Sequence, residues 1–450
     1  MTTRKKAATS AVSAVLLVSS LGLSSRVSGQ EPATISPLTL EQVVSAALAT
    51  NPAARSAAQQ LAQAQAKLGQ AQAQRRFSIT FDSVVSGSSA SIIQPPPAHE
   101  TFRTLQNTLT IPLHLGRRSG FVSQQAGEQL SAAQATFQSA QLALAGQAAA
   151  AYFDLLRKQA LLIVAQTALE QATRALSDAR KRERAGDVAQ LDVLQAQVPV
   201  ASAQAALGKA ENDVEIARQT LNDLTGRPLD APLTIADVTG PPPPFPYTLP
   251  QVRALVLERS ADVRAADAVV RADTAALQAA ALYREPSVSL QAIDIRSNDQ
   301  TSFSRLDTLQ AAITIPLSDG GLGRQQVREA EAALAQGRAQ AESARKTALI
   351  GISGAYLSAR SARAQRTAAL AARDIAQITY DKTVLGYRQG LFPLINVLNA
   401  QNALAQARIA YIQVLYDAAS AGNALEYALS GDIAAGGAEA APGAGGKAGP

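Results

Sequence analysis

The chain carries one structural design twice. Residues 110–113 (TIPL) recur unchanged at 314–317, and the same offset of 204 relates Gly186 to Gly390. Further upstream, residues 39–43 correspond to 248–252 at an offset of 209, and a change in loop length explains the difference. Self-similarity at a nearly fixed offset is the signature of a repeated architecture. The 450 residues are therefore expected to fold as two copies of one unit.

The amino terminus predicts export from the cytoplasm. Three basic residues at 4–6 precede an apolar stretch at 11–23, and small residues follow, as in a secretory signal peptide. We assign residues 1–29 to this signal. Together with Arg26 the segment holds four positive charges and no negative one, so its removal lowers the net charge from +6 to +2. The remaining chain has no basic run with interleaved aromatic residues, which argues against nucleic-acid binding.

The repeat sets the predicted domain organisation. The boundaries are a first repeat at 30–240, a proline-rich linker at 241–246, a second repeat at 247–431 and a disordered Gly/Ala-rich tail at 432–450. Alanine accounts for 95 residues, whereas aromatic residues make up only 4%. Because alanine favours helices and lets them approach closely, this composition indicates long, thin helical packing rather than a thick core.

Each copy predicts a helix, two strands, a long helix and a shorter helix. The first helix is expected at 40–72, where Thr39 and Gln42 have the spacing of a capping box. Alternating apolar and polar residues at 77–82 and 105–113 predict a pair of strands of about 10 residues each, and the second copy repeats the pair, with one strand starting at 288–290 and alternation resuming at 309–315. The long helices are predicted at 120–184 and 323–388, and the shorter ones at 188–224 and 394–429. At 1.5 Å per residue, a helix of about 65 residues is roughly 100 Å long.

The strands favour an oligomer. Each is about as long as the 9–11 residues that a transmembrane β-strand needs. Four strands are too few to close a membrane barrel, and open strand edges are not tolerated in lipid. Several chains must therefore pool their strands if these cross a membrane. The alternative on pattern alone is a small soluble sheet that caps a helical bundle.

The combined pattern resembles the TolC-type outer-membrane efflux proteins. The resemblance rests on 110–113 with Gly116, on 314–317 with the glycines at 320–321, and on 387–401, in a doubled order after a signal peptide. It implies a mainly α fold with a β-barrel portion. Three chains would form an α-helical barrel continued by a twelve-stranded transmembrane β-barrel. The implied partners are two further copies, a periplasmic adaptor protein, an inner-membrane pump of the RND or ABC type, and outer-membrane lipid.

The resemblance also places a periplasmic gate just after the second-copy glycine. The gate is expected at six residues: Asp192, Tyr387, Leu391, Phe392, Asn396 and Asn399. Gly186 and Gly390 are expected to form the turns at the helix breaks. The best-known member has arginine at position 392 and aspartate at 396 and 399. The hypothesis for this chain is therefore closure by apolar packing more than by charge. The alternative is that Asn396 and Asn399 merely face a neighbouring helix.

Other residue patterns carry no predicted chemistry. The sequence lacks cysteine, which excludes a thiol nucleophile, a cysteine-ligated metal and an acylated lipoprotein anchor. His99 and His114 stand apart from other potential ligands, so no metal site is expected. No catalytic or cofactor-binding constellation is recognised, and the chain is not expected to be an enzyme. The basic run at 180–184 is consistent with charge at a helix C-terminus or with an adaptor-docking surface.

Two functions follow from these observations. The first is a passive outer-membrane duct of a tripartite efflux or type I secretion system, reaching into the periplasm without a lipid anchor. The second is a structural protein, either a soluble periplasmic helical rod or an adhesin-like coiled coil.

Overall fold

The computed structural model describes residues 37–76, 78–92, 98–113, 116–237, 246–298 and 303–430. The signal peptide, the C-terminal tail, His114 and most of the proline-rich linker lie outside these ranges. The elements run in the order α1 (Leu40–Thr50), α2 (Pro52–Ala73), β1 (Thr80–Ile92), β2 (Ala98–Leu113), α3 (Arg118–Ala185), α4 (Gln190–Leu224), α5 (Leu249–Arg259), α6 (Ala261–Ala281), β3 (Ser287–Asn298), β4 (Phe303–Thr314), α7 (Leu322–Arg388) and α8 (Leu394–Ser430). This order confirms the duplicated design and the two long helices.

The predicted first helix is divided into two. Asn51 leaves the helical conformation with ψ 132°, and its side chain accepts a hydrogen bond from the backbone N–H of Ala53 at 2.8 Å. Pro52 follows at the first turn of α2, where its missing N–H costs nothing. Ser260 repeats this cap between α5 and α6. The capping box of Thr39 and Gln42 is confirmed, since each donates a backbone N–H to the other's side chain.

The four strands form one antiparallel sheet in the order β1-β2-β3-β4. The pairing of β2 with β3 joins the two repeats, with Leu109 opposite Ala292. β1 and β4 lie at the edges, each paired on one side only among the described residues. Pro112 is the second-last residue of β2, close to the strand end where its missing donor is tolerated.

Each repeat has its own apolar core where the short helices meet the middle of a long helix. The first contains Val43, Tyr152 and Leu221, from α1, α3 and α4. The second contains Val252 and Leu425, with Tyr356 packed against it, from α5, α8 and α7. These residues correspond pairwise at the repeat offsets. The same contacts therefore hold the short helices to the rod in both copies. Within the described ranges no helix is both long and apolar enough to cross a membrane.

Candidate functional site at the ends of the long helices

Two glycine turns end the long helices. Gly186 has φ 82° and Gly390 has φ 75°, a left-handed conformation that glycine adopts without a steric penalty. After α3, the N–H of Asp187 donates to the carbonyl of Arg182 at 2.9 Å. After α7, the N–H of Leu391 donates to the carbonyl of Gly386 at 2.8 Å. Both turns therefore have the six-to-one hydrogen bond of a Schellman motif, which reverses the chain sharply.

An apolar cluster holds the two turns together. We call it the tip cluster. It joins buried residues of α3, α4, α7 and α8, namely Leu176, Ala179, Ala196, Tyr387, Leu394, Val397 and Leu398. Its small members let the helices approach closely, and its larger members come mainly from the start of α8. The cluster fixes the geometry of the tip within one chain, so the two repeats meet here as one packed unit.

Arg182 joins the repeats at the tip. Its guanidinium donates to the backbone carbonyls of Tyr387 at 2.9 Å and Arg388 at 3.3 Å. Its guanidinium carbon also lies 4.6 Å from the centre of the Tyr387 ring, within cation–π range. The last carbonyls of a helix lack intrahelical partners and carry partial negative charge. Arg182 of α3 thus caps the C-terminus of α7.

Tyr387 is an internal residue of the chain. Only 5% of its surface is exposed, and its hydroxyl has no hydrogen-bond partner among the described residues. Neighbouring Tyr380 packs against the same cluster, where burial, with a smaller effect from the charge of Asp381, raises its pKa. Tyr387 therefore supports the α7–α8 turn from inside the tip cluster.

Leu391 and Phe392 form the outer surface of this turn, with 70% and 45% of their surfaces exposed. The Phe392 ring lies over Gly386, where a Cβ would come within 2.3 Å of it. Asn396 and Asn399 are exposed on the first turns of α8, and Asp192 is half-buried on α4. The tip therefore presents an apolar turn beside exposed polar amides.

Sequence reasoning did not find the role of Arg182. From the sequence alone, the basic run at 180–184 is consistent with a charge complement to its own helix or with a docking surface. Lys181 does lie near Asp178 of its own helix, at 3.9 Å. Arg182, by contrast, serves a helix end 205 residues away in the sequence. No group of three or more potential metal-ligating side chains occurs in the described part of the chain.

Comparison with known proteins identifies the family. The family model described as outer membrane efflux protein matches residues 43–227 and 252–431, most of the chain. This chain belongs to the outer membrane efflux protein family. The two matched segments fall on the two structural copies. Membership confirms the predicted role in efflux and the outer-membrane localisation, and the soluble periplasmic rod is therefore wrong.

Individual relatives agree with this assignment. The cobalt-zinc-cadmium resistance protein CzcC of Cupriavidus metallidurans is 26% identical over 400 residues, which cover 84% of this efflux protein and 87% of CzcC. The solved structure of CusC matches with a TM-score of 0.77 at 20% identity, over 87% of this chain and 91% of that chain. VceC of Vibrio cholerae matches with a TM-score of 0.75 at 23% identity, over 87% and 96%. These structures establish the fold.

Proposed function

We propose that three copies of this efflux protein form a passive duct from the periplasm to the outside of the cell. The twelve pooled strands form a β-barrel in the outer membrane, and the helices continue it as an α-helical barrel. An inner-membrane pump of the RND or ABC type delivers substrate through a periplasmic adaptor. The chain itself performs no chemical turnover, and the energy for export comes from the pump.

The observation that carries this proposal is the sheet with two open edges. One face is apolar near the helices, where Phe81, Leu109, Ala292 and Leu309 lie side by side in the paired register. Phe81 and Leu309 are 65% and 81% exposed. The opposite face carries Thr80, Thr110, Gln291 and Gln310 in the next row. Near the helices the sheet therefore has the apolar and the polar face of a transmembrane barrel, and farther along the apolar face Arg305 forms ion pairs with Asp294 and Asp307.

The open edges make a single chain incomplete in lipid. Unpaired backbone N–H and C=O groups of β1 and β4 would be left without partners in hydrocarbon, at a cost of several kcal/mol each. Pooling with other copies satisfies these groups. α3 and α7 contain 68 and 67 residues, so each is about 100 Å long at 1.5 Å per residue. Helices of this length extend the duct far into the periplasm.

The resting gate lies at the tip and closes by apolar packing. Leu391 and Phe392 are exposed in one chain, and three such turns would meet around the duct axis. Asn396 and Asn399 carry no charge, so the ring they form does not attract cations as carboxylates would. Asp192 on α4 is the one acidic residue among the six candidate gate residues. Gly186 and Gly390 set the direction in which the turns point.

Export from intact cells tests the function. The protein is expressed in an outer-membrane-efflux-deficient strain together with its adaptor and pump, and substrate accumulation is measured. Restored export, with heat-modifiable trimers in the outer-membrane fraction, is the expected result. A monomer that stays soluble in the periplasm would overturn the proposal. Ion conductance of the purified protein in planar bilayers gives an independent measurement.

A further inference from the structure

Some helix and strand surfaces that are covered in one repeat are left uncovered in the other. In the described part of the chain, α6 packs against both α3 and α7, whereas α2 packs on α1 and α3 and lacks a matching contact with α7. Likewise β2 pairs with β3, whereas β4 and β1 remain at the edges. Each open surface of one repeat therefore corresponds to a covered surface of the other.

We propose that a second copy of this chain covers these surfaces by repeating the internal junction between the repeats. In this interface β4 pairs with β1 of the partner subunit, Ile313 lies opposite the partner's Val85, and two charge pairs form. Asp319 meets the partner's Arg76, and Glu342 meets the partner's Arg55. The inference rests on the proposed function, which places copies of the chain in a closed ring.

The register follows from the repeat offsets within the structure. Thr80 pairs with Thr110 in the first hairpin, and Ser287 pairs with Thr314 in the second. Thus β1 corresponds to β3 at an offset of 207, and β2 to β4 at 204. Applying these offsets to the internal pair of Leu109 and Ala292 gives Ile313 and Val85. Both lie on the face of the sheet that carries Leu109, so this register keeps the two faces of the sheet continuous across the interface.

The first charge pair follows from the helix packing. In the internal junction, the Arg264 guanidinium of α6 donates to the side-chain oxygen of Gln138 on α3. At an offset of 209, Arg264 corresponds to Arg55 on α2. At an offset of 204, Gln138 corresponds to Glu342 on α7. Both are exposed in one chain. Glu342 already pairs with Lys346 at 2.6 Å, and a second cation can share its two oxygens.

The second charge pair follows from the turn between helix and sheet. Glu285 accepts hydrogen bonds from the N–H groups of Arg117 and, at 2.9 Å, Arg118, so it caps α3 across the repeat junction. In the turn that holds Glu285, the N–H of Glu285 donates to the carbonyl of Leu282. The first repeat has the same turn, in which the N–H of Arg76 donates to the carbonyl of Ala73. Arginine therefore stands where the other repeat has glutamate, and it cannot cap a helix N-terminus.

The second long helix compensates for this reversal. Asp319 caps α7 locally, accepting from the N–H groups of Gly321 at 2.9 Å and Gly323 at 2.7 Å. The backbone donors, Gly323 foremost, hold the pKa of Asp319 below its usual range, so it is ionised at neutral pH. A partner arginine in the position of Glu285 would then face this carboxylate. The charges at the two positions are therefore complementary in an interface between two copies of this chain.

The absence of cysteine makes the register directly testable. Ile313→Cys and Val85→Cys are introduced together in the full-length protein, and outer membranes are oxidised. Within one chain these positions lie three strand spacings apart across the sheet, about 14 Å, and eight residues apart along it, since Val85 is in register with Arg305; they are too far apart for a disulfide. We expect disulfide-linked dimers and closed rings on non-reducing gels. The matched control, Ile313→Cys with Val84→Cys, places the second thiol on the opposite face and should not cross-link.

The charge pair between Arg76 and Asp319 is tested by a double-mutant cycle. Arg76→Gln and Asp319→Asn are compared singly and together for the temperature at which the oligomer dissociates. Asparagine keeps an oxygen that can accept from the α7 backbone. We expect each single change to lower this temperature and the double variant to fall no further than the worse single one. Additive effects would overturn the charge pair.

The outcomes separate the interface from the function. Oligomers that form but cross-link through position 84, or that fail to cross-link at 313 and 85, overturn the proposed interface alone. Absence of any oligomer after lysine-reactive chemical cross-linking overturns the proposed function as well. Disulfide-linked rings through 313 and 85 support both.

Discussion

The guanidinium of Arg182 stacks on the ring of Tyr387 and donates to the carbonyl oxygen of the same residue, at 2.9 Å. One side chain thereby holds both the backbone end of α7 and the aromatic centre of the tip cluster. Arg182 belongs to the first repeat and Tyr387 to the second. The contact therefore fixes the two glycine turns relative to each other, and the position of the gate depends on it.

Arg182→Ala is expected to loosen the tip. The change removes hydrogen bonds from a charged donor and a cation–π contact, so we expect a loss of about 2 kcal/mol in the stability of the closed tip. Single-channel recordings should show more frequent openings, and cells should admit large antibiotics that the closed duct excludes. Arg180→Ala is the matched control, since Arg180 is exposed two residues earlier on the same helix. Equal behaviour of the two variants would contradict the role of Arg182.

Tyr387 should act through its ring rather than through its hydroxyl. The hydroxyl is buried without a partner among the described residues, and removing an unsatisfied buried group is neutral or stabilising. We expect Tyr387→Phe to keep the thermal stability and the closed state, whereas Tyr387→Ala leaves a cavity and costs about 3 kcal/mol or more. Thermal unfolding followed by circular dichroism distinguishes the two. A leaky Tyr387→Phe channel would show that the hydroxyl takes part in closure.

The order of helices and strands could be predicted from the sequence because each pattern occurs in both repeats. Strand alternation, glycine breaks and the long apolar periodicity each occurred in both copies at consistent offsets. The division at Asn51 and Pro52 was missed because the helical pattern continues on both sides of the break. The break is marked by the Asn51 side chain accepting from Ala53 and by Pro52, which disfavours a helical conformation at Asn51.

The candidate site was harder to predict for a physical reason. A thin helical packing exposes two faces of every helix, so residue type alone does not tell which face meets a neighbour. Tyr387 was predicted as a gate residue, and within the chain it is a buried member of the tip cluster. Arg182 was one of several neighbouring basic residues, and its partner is 205 positions away. Only the packing of α3 against the end of α7 singles it out.

Restoring carboxylates at the tip should make the channel sensitive to divalent cations. Asn396→Asp with Asn399→Asp would add six negative charges to a trimer, and such rings attract and hold cations. We expect millimolar divalent cations to block the double variant in planar bilayers and to leave the natural channel conducting. Exposed Asn402→Asp, further along α8, provides a control that adds charge away from the tip. Strong divalent block of the unmodified protein that depends on Asn396 would contradict closure by apolar packing.

Alkaline pH should destabilise the core of the first repeat through Tyr416. Burial, followed by the nearby charge of Asp237, raises the pKa of Tyr416 to about 12. An unfolded tyrosine ionises near pH 10, so the folded state keeps a proton that the unfolded state loses. The stability linked to this group is therefore complete below about pH 10 and is lost as the pH rises towards 12. We expect Tyr416→Phe to flatten the fall in melting temperature across this range, measured by circular dichroism. Tyr247→Phe, at an exposed ring, should leave the profile unchanged. Identical slopes for Tyr416→Phe and the natural protein would show that another group controls the alkaline transition.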